Sequence, residues 1–535
     1  MKKKYIYNLI LGVGVLFGTV SCTNLDEDLI GEVTAPINLA KVTSGSGAAG
    51  DGNNLTVGAY IALRNAGNAN HGGYFSVQSV SSDEMAIAQK GGDWFDGGIW
   101  LEMHRHTYTA GNGPLNGTWD QQYSAIGDIN NAIDEATGNA SAIAELKVIR
   151  ALLHWRLLDL YGRIRYIRND GDVSAQLSRA DGVIQIQNDI LDALGITVDD
   201  LANLDNATFS TDLSTNQVPY RVNRYAALGL LAKVYINAEV YTGSGKYQEA
   251  HDIAEYIISN SGYSLHPKYP EIFAPDNNVN GASSELIWAV EYDEATAGGM
   301  NFAQMSLTYA SQATWDLQDQ PWNGYAALED FYNSYDDTDL RKKSNFLEGP
   351  QRKWGEGGAN SGDLIIDYAY DDRGTGPDQG PVVNYKPAIN ELAPNGCRDC
   401  GTRLHKFGFK RLQRGDMDND YPLIRLTEMY LIQAEAILRG ATSSFQAHVL
   451  LNPIRERAGL NTYSSSELDL EELFHERGRE MFMEATRRQD QIRFGKWSDA
   501  WWEKSANAPG DHPVMPIPQP AIDGSGGVLT QNPEY

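Results

Sequence analysis

The side chains best suited to hold a ligand are aromatic and polar residues that share a loop. Sugars present hydroxyl groups and flat C–H faces, so a surface that binds them combines exposed Trp or Tyr with Asp, Asn, Gln or Arg. Residues 91–98 have this composition, with Asp93, Trp94 and Asp96 between two pairs of glycines. Glycine neighbours leave Trp94 little local packing, which favours an exposed ring. A Trp buried in a glycine-rich loop fits the pattern about as well.

A second loop, residues 315–325, places three aromatic residues among Asp, Asn and Gln. The two loops together are candidates for a glycan-binding site, through Asp93, Trp94, Asp96, Trp315, Trp322 and Tyr325. Tyr292 is a third and weaker candidate. Five other tryptophans lie in apolar or amphipathic stretches and are expected in the core: Trp100, Trp119, Trp155, Trp288 and Trp497. Trp501 and Trp502 fit either location.

Two segments have the residue types of a metal site. Cys397 and Cys400 form a CxxC sequence with His405 nearby, but structural zinc needs four ligands and no second Cys or His pair follows. In an exported protein a small-loop disulfide is favoured over metal or free thiols. Asp416, Asp418 and Asp420 alternate as calcium ligands do, without the Gly and distal Glu of an EF-hand loop. A solvated acidic loop is the default there, with structural calcium as an alternative. We expect no other cofactor.

Catalysis is not expected. Glu476 and Glu480 could in principle act as the paired carboxylates of a glycosidase. They lie four residues apart on one predicted helix beside Arg477 and Arg479, which favours ion pairing within a scaffold. The chain also contains no HExxH, GxSxG or Walker A sequence.

The elements that position these loops are predicted to be helices. Apolar residues recur at helical spacing over residues 145–161, 221–241, 247–258, 427–439, 445–458 and 468–488. Ser464 and Glu467 have capping-box spacing before the last of these. Residues 247–258 follow a short glycine-containing turn, as in a tetratricopeptide-type hairpin, but no strict repeat persists. We predict a mainly α fold with degenerate helical repeats at about 117–165, 221–262 and 425–497. Loop-rich binding regions are expected at about 66–116 and 268–420.

The N-terminus predicts an exported lipoprotein. Lys2, Lys3 and Lys4 precede an apolar stretch from Leu9 to Val20, which is too short for a comfortable membrane span and is typical of a signal peptide. The stretch ends before Cys22 in a sequence that resembles a bacterial lipobox. Residues 1–21 are therefore predicted to be removed, Cys22 to carry acyl chains, and residues 22–54 to form a tether. Residues 55–535 then form a single domain.

The charge of the chain narrows the class of ligand. Its 535 residues include 43 Lys and Arg against 70 Asp and Glu, for a net charge of −27. Nucleic-acid binding needs a basic patch that this sequence does not supply, and anionic lipid is disfavoured for the same reason. An acidic, aromatic-rich chain favours neutral polar ligands.

Three motifs lie in the C-terminal quarter, at residues 425–436, 452–460 and 476–495. Together they resemble the SusD/RagB family of outer-membrane lipoproteins: the first looks like the signature helix of that family, the second like its next element, and the last like its third. The chain end and two upstream segments are similar as well, at residues 515–518, 531–535, 119–130 and 241–265. The resemblance covers nearly the whole chain, with the motifs in the family's order.

The resemblance implies a SusD-like fold with long ligand-binding loops, and a function in nutrient uptake. Such a protein is a surface-exposed lipoprotein of the outer membrane that captures oligosaccharides for a SusC-type TonB-dependent transporter. The family commonly presents a platform aromatic near Trp94 and further binding aromatics near residues 315–325. A peptide-binding RagB-like protein is the nearest alternative, and a surface glycoside hydrolase is a more distant one.

Overall fold

A computed structural model describes residues 53–168, 174–369, 380–507 and 513–535. The predicted signal peptide, Cys22 and almost all of the predicted tether lie outside these residues. The described chain is mainly helical, as the sequence predicts. Its first helix begins at Asn53, inside the last two residues of the predicted tether.

The helices of the described residues are, in chain order, α1 Asn53–Arg64, α2 Tyr74–Val80, α3 Ile99–Arg105, α4 Gly113–Glu135, α5 Ala140–Tyr161, α6 Arg179–Leu194, α7 Arg224–Ile236, α8 Ala238–Thr242, α9 Tyr247–Asn260, α10 Phe302–Ser306, α11 Glu329–Asn333, α12 Leu340–Asn345, α13 Leu426–Leu438, α14 Ala447–Arg457, α15 Leu470–Met481, α16 Arg487–Arg493 and α17 Gln519–Gly524. Consecutive long helices pack in pairs, including α4 with α5, α5 with α6 and α13 with α14, and α9 packs against both α7 and α13.

The strands are short and pair antiparallel in twos. They are β1 Met85–Ile87, β2 Ile164–Arg165, β3 Gln176–Leu177, β4 Leu286–Val290, β5 Tyr325–Ala327, β6 Phe346–Leu347, β7 Gly349–Pro350, β8 Asn384–Tyr385, β9 Arg403–Leu404 and β10 Tyr421–Arg425. The pairs are β1 with β5, β2 with β3, β4 with β10, β6 with β9 and β7 with β8. The first pair matters for function, because it sets Ile87 opposite Tyr325 and so joins the two aromatic loops that the sequence singles out.

Helix α7 and the second half of α5 are buried on all sides, although their apolar periodicity predicts one buried face. From Tyr225 to Ile236 every residue of α7 is buried. Both helices lie between neighbours, since α6 packs on α5 and α7, and α9 covers another side of α7. A helix enclosed by other helices shields its polar residues by pairing them, as Lys233 pairs with Glu428 at 2.7 Å.

The helix predicted over residues 468–488 is wrong in two respects. It is interrupted after Met481, because Met483 and Ala485 adopt positive φ angles of 60° and 55°, which no α-helix accommodates. Its N-cap is Asp469, whose carboxylate accepts a hydrogen bond from the backbone N–H of Glu472 at 2.9 Å. Ser464 and Glu467 instead close a separate turn before the helix.

Candidate functional site

Trp94 lies half-exposed on the loop that follows β1. Its indole rests against the backbone of Gly324, where an added Cβ would lie 2.6 Å from a carbon of the Trp94 ring and 2.9 Å from the carbonyl oxygen of Met305. Only a residue without a side chain allows such an approach. Because Gly324 belongs to the second predicted loop, the two loops meet at this contact.

Trp322 and His71 complete a group of neighbouring rings with Trp94. The centroids of Trp94 and Trp322 are 5.8 Å apart and their planes meet at 47°. The imidazole of His71 sets an edge against both, at 5.7 Å from Trp94 and 4.9 Å from Trp322. We call these three half-exposed residues the aromatic cluster. Burial lowers the pKa of His71, with Asp96 opposing the shift, so the ring is neutral at pH 7.

Tyr325 lies beneath this cluster and is fully buried, which corrects the expectation of an exposed ring. It stacks on Trp94 with centroids 6.0 Å apart and planes at 15°. Its hydroxyl shares a hydrogen bond of 2.8 Å with the hydroxyl of Ser76. The cause is its position on β5, which pairs with β1 in the protein interior. Tyr325 therefore supports Trp94 from below.

Trp315 is also buried, with 5% of its surface exposed, and the expectation of an exposed ring is wrong here too. It packs edge-on against Phe409 at 5.2 Å and lies 5.9 Å from His405. Residues 405–409 arrive from a distant part of the chain, so local composition does not reveal this contact. Tyr292, the weaker candidate, is buried as well, at 2% exposure.

Of the two predicted carboxylates, Asp93 is buried and Asp96 is exposed. Asp93 accepts hydrogen bonds from Arg398 and from Nδ2 of Asn323, the latter at 2.7 Å. Nε of Arg398 also donates to Asp367 at 2.8 Å. Asp93 therefore ties three loops together, which corrects the expectation of a carboxylate presented to ligand. Asp96 accepts from the indole N–H of Trp100 at 3.2 Å and remains open to solvent.

Sequence reasoning missed the residues that hold the aromatic cluster in place. Nζ of buried Lys90 donates to the carbonyl oxygens of Asn323 and Gly324, both at 2.8 Å. A guanidinium nitrogen of Arg403 donates to Oδ1 of Asn323 at 2.9 Å. Burial, reinforced by Arg403, lowers the pKa of Lys90. No local pattern distinguishes these cations from surface ones, because their partners lie more than 70 residues away.

His71 and Tyr309 are two further aromatic residues at the site that the sequence did not single out. Tyr309 is half-exposed, and the guanidinium of Arg398 lies 5.2 Å from the centroid of its ring. Burial and the neighbouring carboxylate of Asp93 raise the pKa of Tyr309. His71 falls within the predicted binding region 66–116, but its segment carries no distinguishing motif.

The two candidate metal segments have other roles in the described structure. Cys397 and Cys400 are joined in a disulfide. Together with Asp399 they make the one group of potential metal ligands among the described residues, and the disulfide occupies both sulfurs. The alternating aspartates instead accept backbone N–H groups of the segment 292–299: Asp416 from Gly299 at 2.9 Å, Asp418 from Glu294 at 2.8 Å, and Asp420 from Tyr292 at 3.3 Å. These hydrogen bonds join the two segments, and they account for the alternate spacing of the three aspartates.

Glu476 and Glu480 are fully buried in a network of ion pairs. Arg341 bridges them, with N···O distances of 2.8 Å to Glu476 and 3.0 Å to Glu480. Arg425 and Arg457 also bind Glu480, at 2.8 and 2.7 Å. Burial alone would raise their pKa values, but the surrounding guanidinium groups lower the pKa of each glutamate to about 2. These carboxylates are structural, because they are inaccessible to solvent and ionised at neutral pH.

The aromatic cluster therefore offers two tilted indoles with an edge-on imidazole and the open carboxylate of Asp96 close by in sequence. A buried polar network fixes the backbone beneath the rings. Such a surface can stack on the C–H face of a ring-shaped ligand and hydrogen-bond its hydroxyl groups. In the described part of the chain, no helix is both long and apolar enough to cross a membrane.

Comparison with known proteins supports the resemblance seen in the sequence. The sequence model of the SusD family matches residues 393–535. The chain is 27% identical over 380 residues to the starch-binding protein SusD of Bacteroides thetaiotaomicron, an alignment that covers 66% of this chain. The resemblance to the SusD/RagB family is confirmed. A SusD-like protein P2 of Formosa agariphila is 23% identical over the full length of both chains.

Solved structures give the same fold. The surface glycan-binding protein A of Bacteroides thetaiotaomicron, in complex with laminarihexaose, superimposes with a TM-score of 0.68 at 20% identity. The superposition covers 90% of this chain and 99% of that protein. The mainly α, SusD-like fold is thus confirmed. The chain spans 64% of the length of the starch-binding SusD and 65% of a SusD-like protein of Bacteroides ovatus.

Proposed function

We propose that this protein is a non-enzymatic, surface-exposed outer-membrane lipoprotein that captures neutral oligosaccharides and passes them to a SusC-type TonB-dependent transporter. The observation that carries the binding role is the aromatic cluster. Large apolar rings left half-exposed on loops that are firmly tied down lose hydrophobic free energy unless a ligand covers them. Trp94 and Trp322 are held in this way by Lys90 and Asn323.

The choice of a neutral glycan rests on charge. The ring of His71 is uncharged at neutral pH, and the net charge of −27 opposes polyanions. Two similar proteins are consistent with a neutral glycan: one is a starch-binding protein, and the other was solved in complex with laminarihexaose. Membrane attachment through Cys22 and delivery to a transporter rest on the lipobox-like N-terminus and on the family resemblance.

Binding by the mature chain from Thr23 tests this function directly. The protein is titrated by calorimetry with neutral polysaccharides, acidic polysaccharides and peptides, and new reducing ends are assayed in the same samples. We expect heat from neutral glycans without new reducing ends. Reducing ends would establish a hydrolase, and binding restricted to peptides would establish the RagB-like alternative.

A substitution locates the binding on the aromatic cluster. Trp94→Ala should weaken glycan binding by about 1–3 kcal/mol, because interface aromatics contribute on this scale. Trp354→Ala is the matched control: Trp354 is half-exposed too, but it packs under Arg411 at 4.9 Å, and the ring contacts of the cluster in the described structure do not include it. Equal affinity of both variants, with the fold intact, would show that ligand binds elsewhere.

A further inference from the structure

A second pair of tryptophans, Trp501 and Trp502, is half-exposed at a tight turn that is held as firmly as the aromatic cluster. The backbones of Trp501 and Lys504 exchange two hydrogen bonds, of 3.1 and 2.9 Å. Between them, Glu503 adopts a positive φ of 53°, a conformation that costs free energy for a residue with a side chain. We call residues 501–504 the tryptophan turn.

Contacts from two distant parts of the chain fix this turn. The carboxylate of Glu503 binds Arg105 at 2.6 Å and accepts from the backbone N–H of Leu392 at 2.8 Å. The carbonyl oxygen of Trp502 contacts Nε2 of His104 at 2.8 Å. Such anchoring fixes the backbone of the turn and leaves both tryptophans half-exposed, although Nε1 of Trp501 is buried and has no hydrogen-bond partner among the described residues.

The two indoles line a cavity of about 170 Å³, which we call the turn cavity. Its floor is formed by buried Phe331 and Phe474, with the guanidinium of Arg487 lying 3.7 Å from the centroid of the Phe474 ring. Asp83 also lines it and binds Arg487 through both carboxylate oxygens, at 2.7 and 2.9 Å. The floor is therefore apolar, with one neutralised ion pair.

The rim of the turn cavity supplies groups that both accept and donate hydrogen bonds. Asp330 is exposed and, among the described residues, makes no hydrogen bond or ion pair through its carboxylate. Half-exposed His475 offers an imidazole whose nearest acid, Glu471, is 3.5 Å away. Hydroxyl groups satisfy both kinds of partner, because each can donate to Asp330 and accept from His475.

We propose that the turn cavity is a second carbohydrate-binding site, which takes a single sugar ring of a neutral glycan between Trp501 and Trp502. Its volume is below the roughly 300–1,000 Å³ of pockets for drug-sized ligands, so one ring is the fitting size. An anionic sugar would be repelled by the exposed carboxylate of Asp330, whereas the guanidinium of Arg487 is already paired with Asp83. A neutral ring avoids this repulsion and covers both indoles. This inference rests on the proposed function for the class of ligand and adds a separate place of binding.

The site would act by avidity. Helix α3 starts three residues after Asp96 and ends beside His104, which contacts the tryptophan turn. Its seven residues span roughly 10 Å, a separation that a polysaccharide of several sugar rings is long enough to bridge. A weak second site then raises the apparent affinity for polymers without changing the affinity for a short oligosaccharide.

The test isolates the second site by removing the first. In a Trp94→Ala/Trp322→Ala variant, binding of soluble starch, laminarin and other neutral polysaccharides is measured by affinity electrophoresis. We expect weak residual binding that falls at least about tenfold when Trp502→Ala is added. Asp330→Ala should weaken it too, and this exposed residue cannot threaten folding. Adding Trp354→Ala is the control and should change nothing.

Two results would overturn the inference while leaving the proposed function intact. One is the loss of all glycan binding in the Trp94→Ala/Trp322→Ala variant. The other is residual binding that neither Trp502→Ala nor Asp330→Ala affects. Binding of a lysine-rich peptide that Trp502→Ala abolishes would overturn the assignment to sugar. Conversely, if Trp502→Ala removes glycan binding and Trp94→Ala does not, the second site stands and the proposed primary site falls.

Discussion

Replacing Gly324 with alanine should displace the ring of Trp94 and so weaken glycan binding without touching any residue that meets the ligand. The added methyl group would lie 2.6 Å from a ring carbon, about 1 Å inside ordinary carbon–carbon contact. The backbone has little room to move, because Lys90 holds the carbonyl of Gly324 and the N–H of Gly324 donates to Met305 at 3.0 Å. The indole must therefore shift, and the carbonyl group of Met305 must also move, because the same methyl group would lie 2.9 Å from its oxygen.

The size of the effect follows from what the shift removes. Moving the Trp94 ring by about 1 Å removes much of its stacking on the ligand, which contributes about 1–3 kcal/mol to binding. The affinity for glycan should therefore fall roughly 10- to 100-fold. Forcing a methyl group into a packed contact should also lower the free energy of unfolding by about 1–3 kcal/mol. Calorimetry with the best-binding neutral glycan and thermal unfolding measure the two effects separately.

Gly127→Ala is the matched control. Gly127 lies inside helix α4, where an added Cβ meets nothing within 4 Å. This substitution should leave affinity unchanged and raise the free energy of unfolding by up to about 1 kcal/mol. Unchanged glycan affinity in Gly324→Ala, with the protein folded, would refute the argument that the contact with Gly324 positions Trp94 for the ligand.

Two further predictions concern the buried charges. The pKa values of Glu476 and Glu480 are about 2, below their value of about 4.3 in an unfolded chain. The stability that these ionised groups give to the fold is therefore complete above about pH 5 and is lost as pH falls towards 2, on the order of 3 kcal/mol for each group. Urea unfolding at pH 7, 4 and 3 should show this decline. A free energy of unfolding that stays constant over this range would contradict it. Arg398→Ala leaves Asp93 and Asp367 buried without their cation, and should lower the free energy of unfolding by about 3–5 kcal/mol. A loss below 1 kcal/mol in chemical denaturation would show that Asp93 finds other partners.

The sequence predicts the helical scaffold well because amphipathic periodicity is a local property. The helix predicted at 247–258 is α9, Tyr247–Asn260, and the predicted signature helix is α13, which ends before Gly440 with its φ of 102°. The interruption after Met481 could not be predicted, because Met483 and Ala485 are not residue types that favour a positive φ.

The candidate site is predictable only in part, because exposure depends on contacts between distant segments. The glycines around Trp94 and the polar neighbours of Trp322 correctly mark rings that remain half-exposed. The same composition surrounds Trp315, which Phe409 buries. Lys90 and Arg403 are recognisable as supports only once β1, β5 and β9 are assembled.

The ion pairs around Glu480 and the aromatic cluster occupy different parts of the chain. The network joins residues of β10, α14 and α15, which lie within the segment 393–535 that the family model matches, to Arg341 of α12, which lies before it. The aromatic cluster is built from residues between 71 and 322, outside that segment. A match confined to that segment therefore does not indicate which ligand the aromatic cluster would bind. Substitutions in the aromatic cluster should therefore alter ligand recognition without disturbing the ion pairs that stabilise the fold.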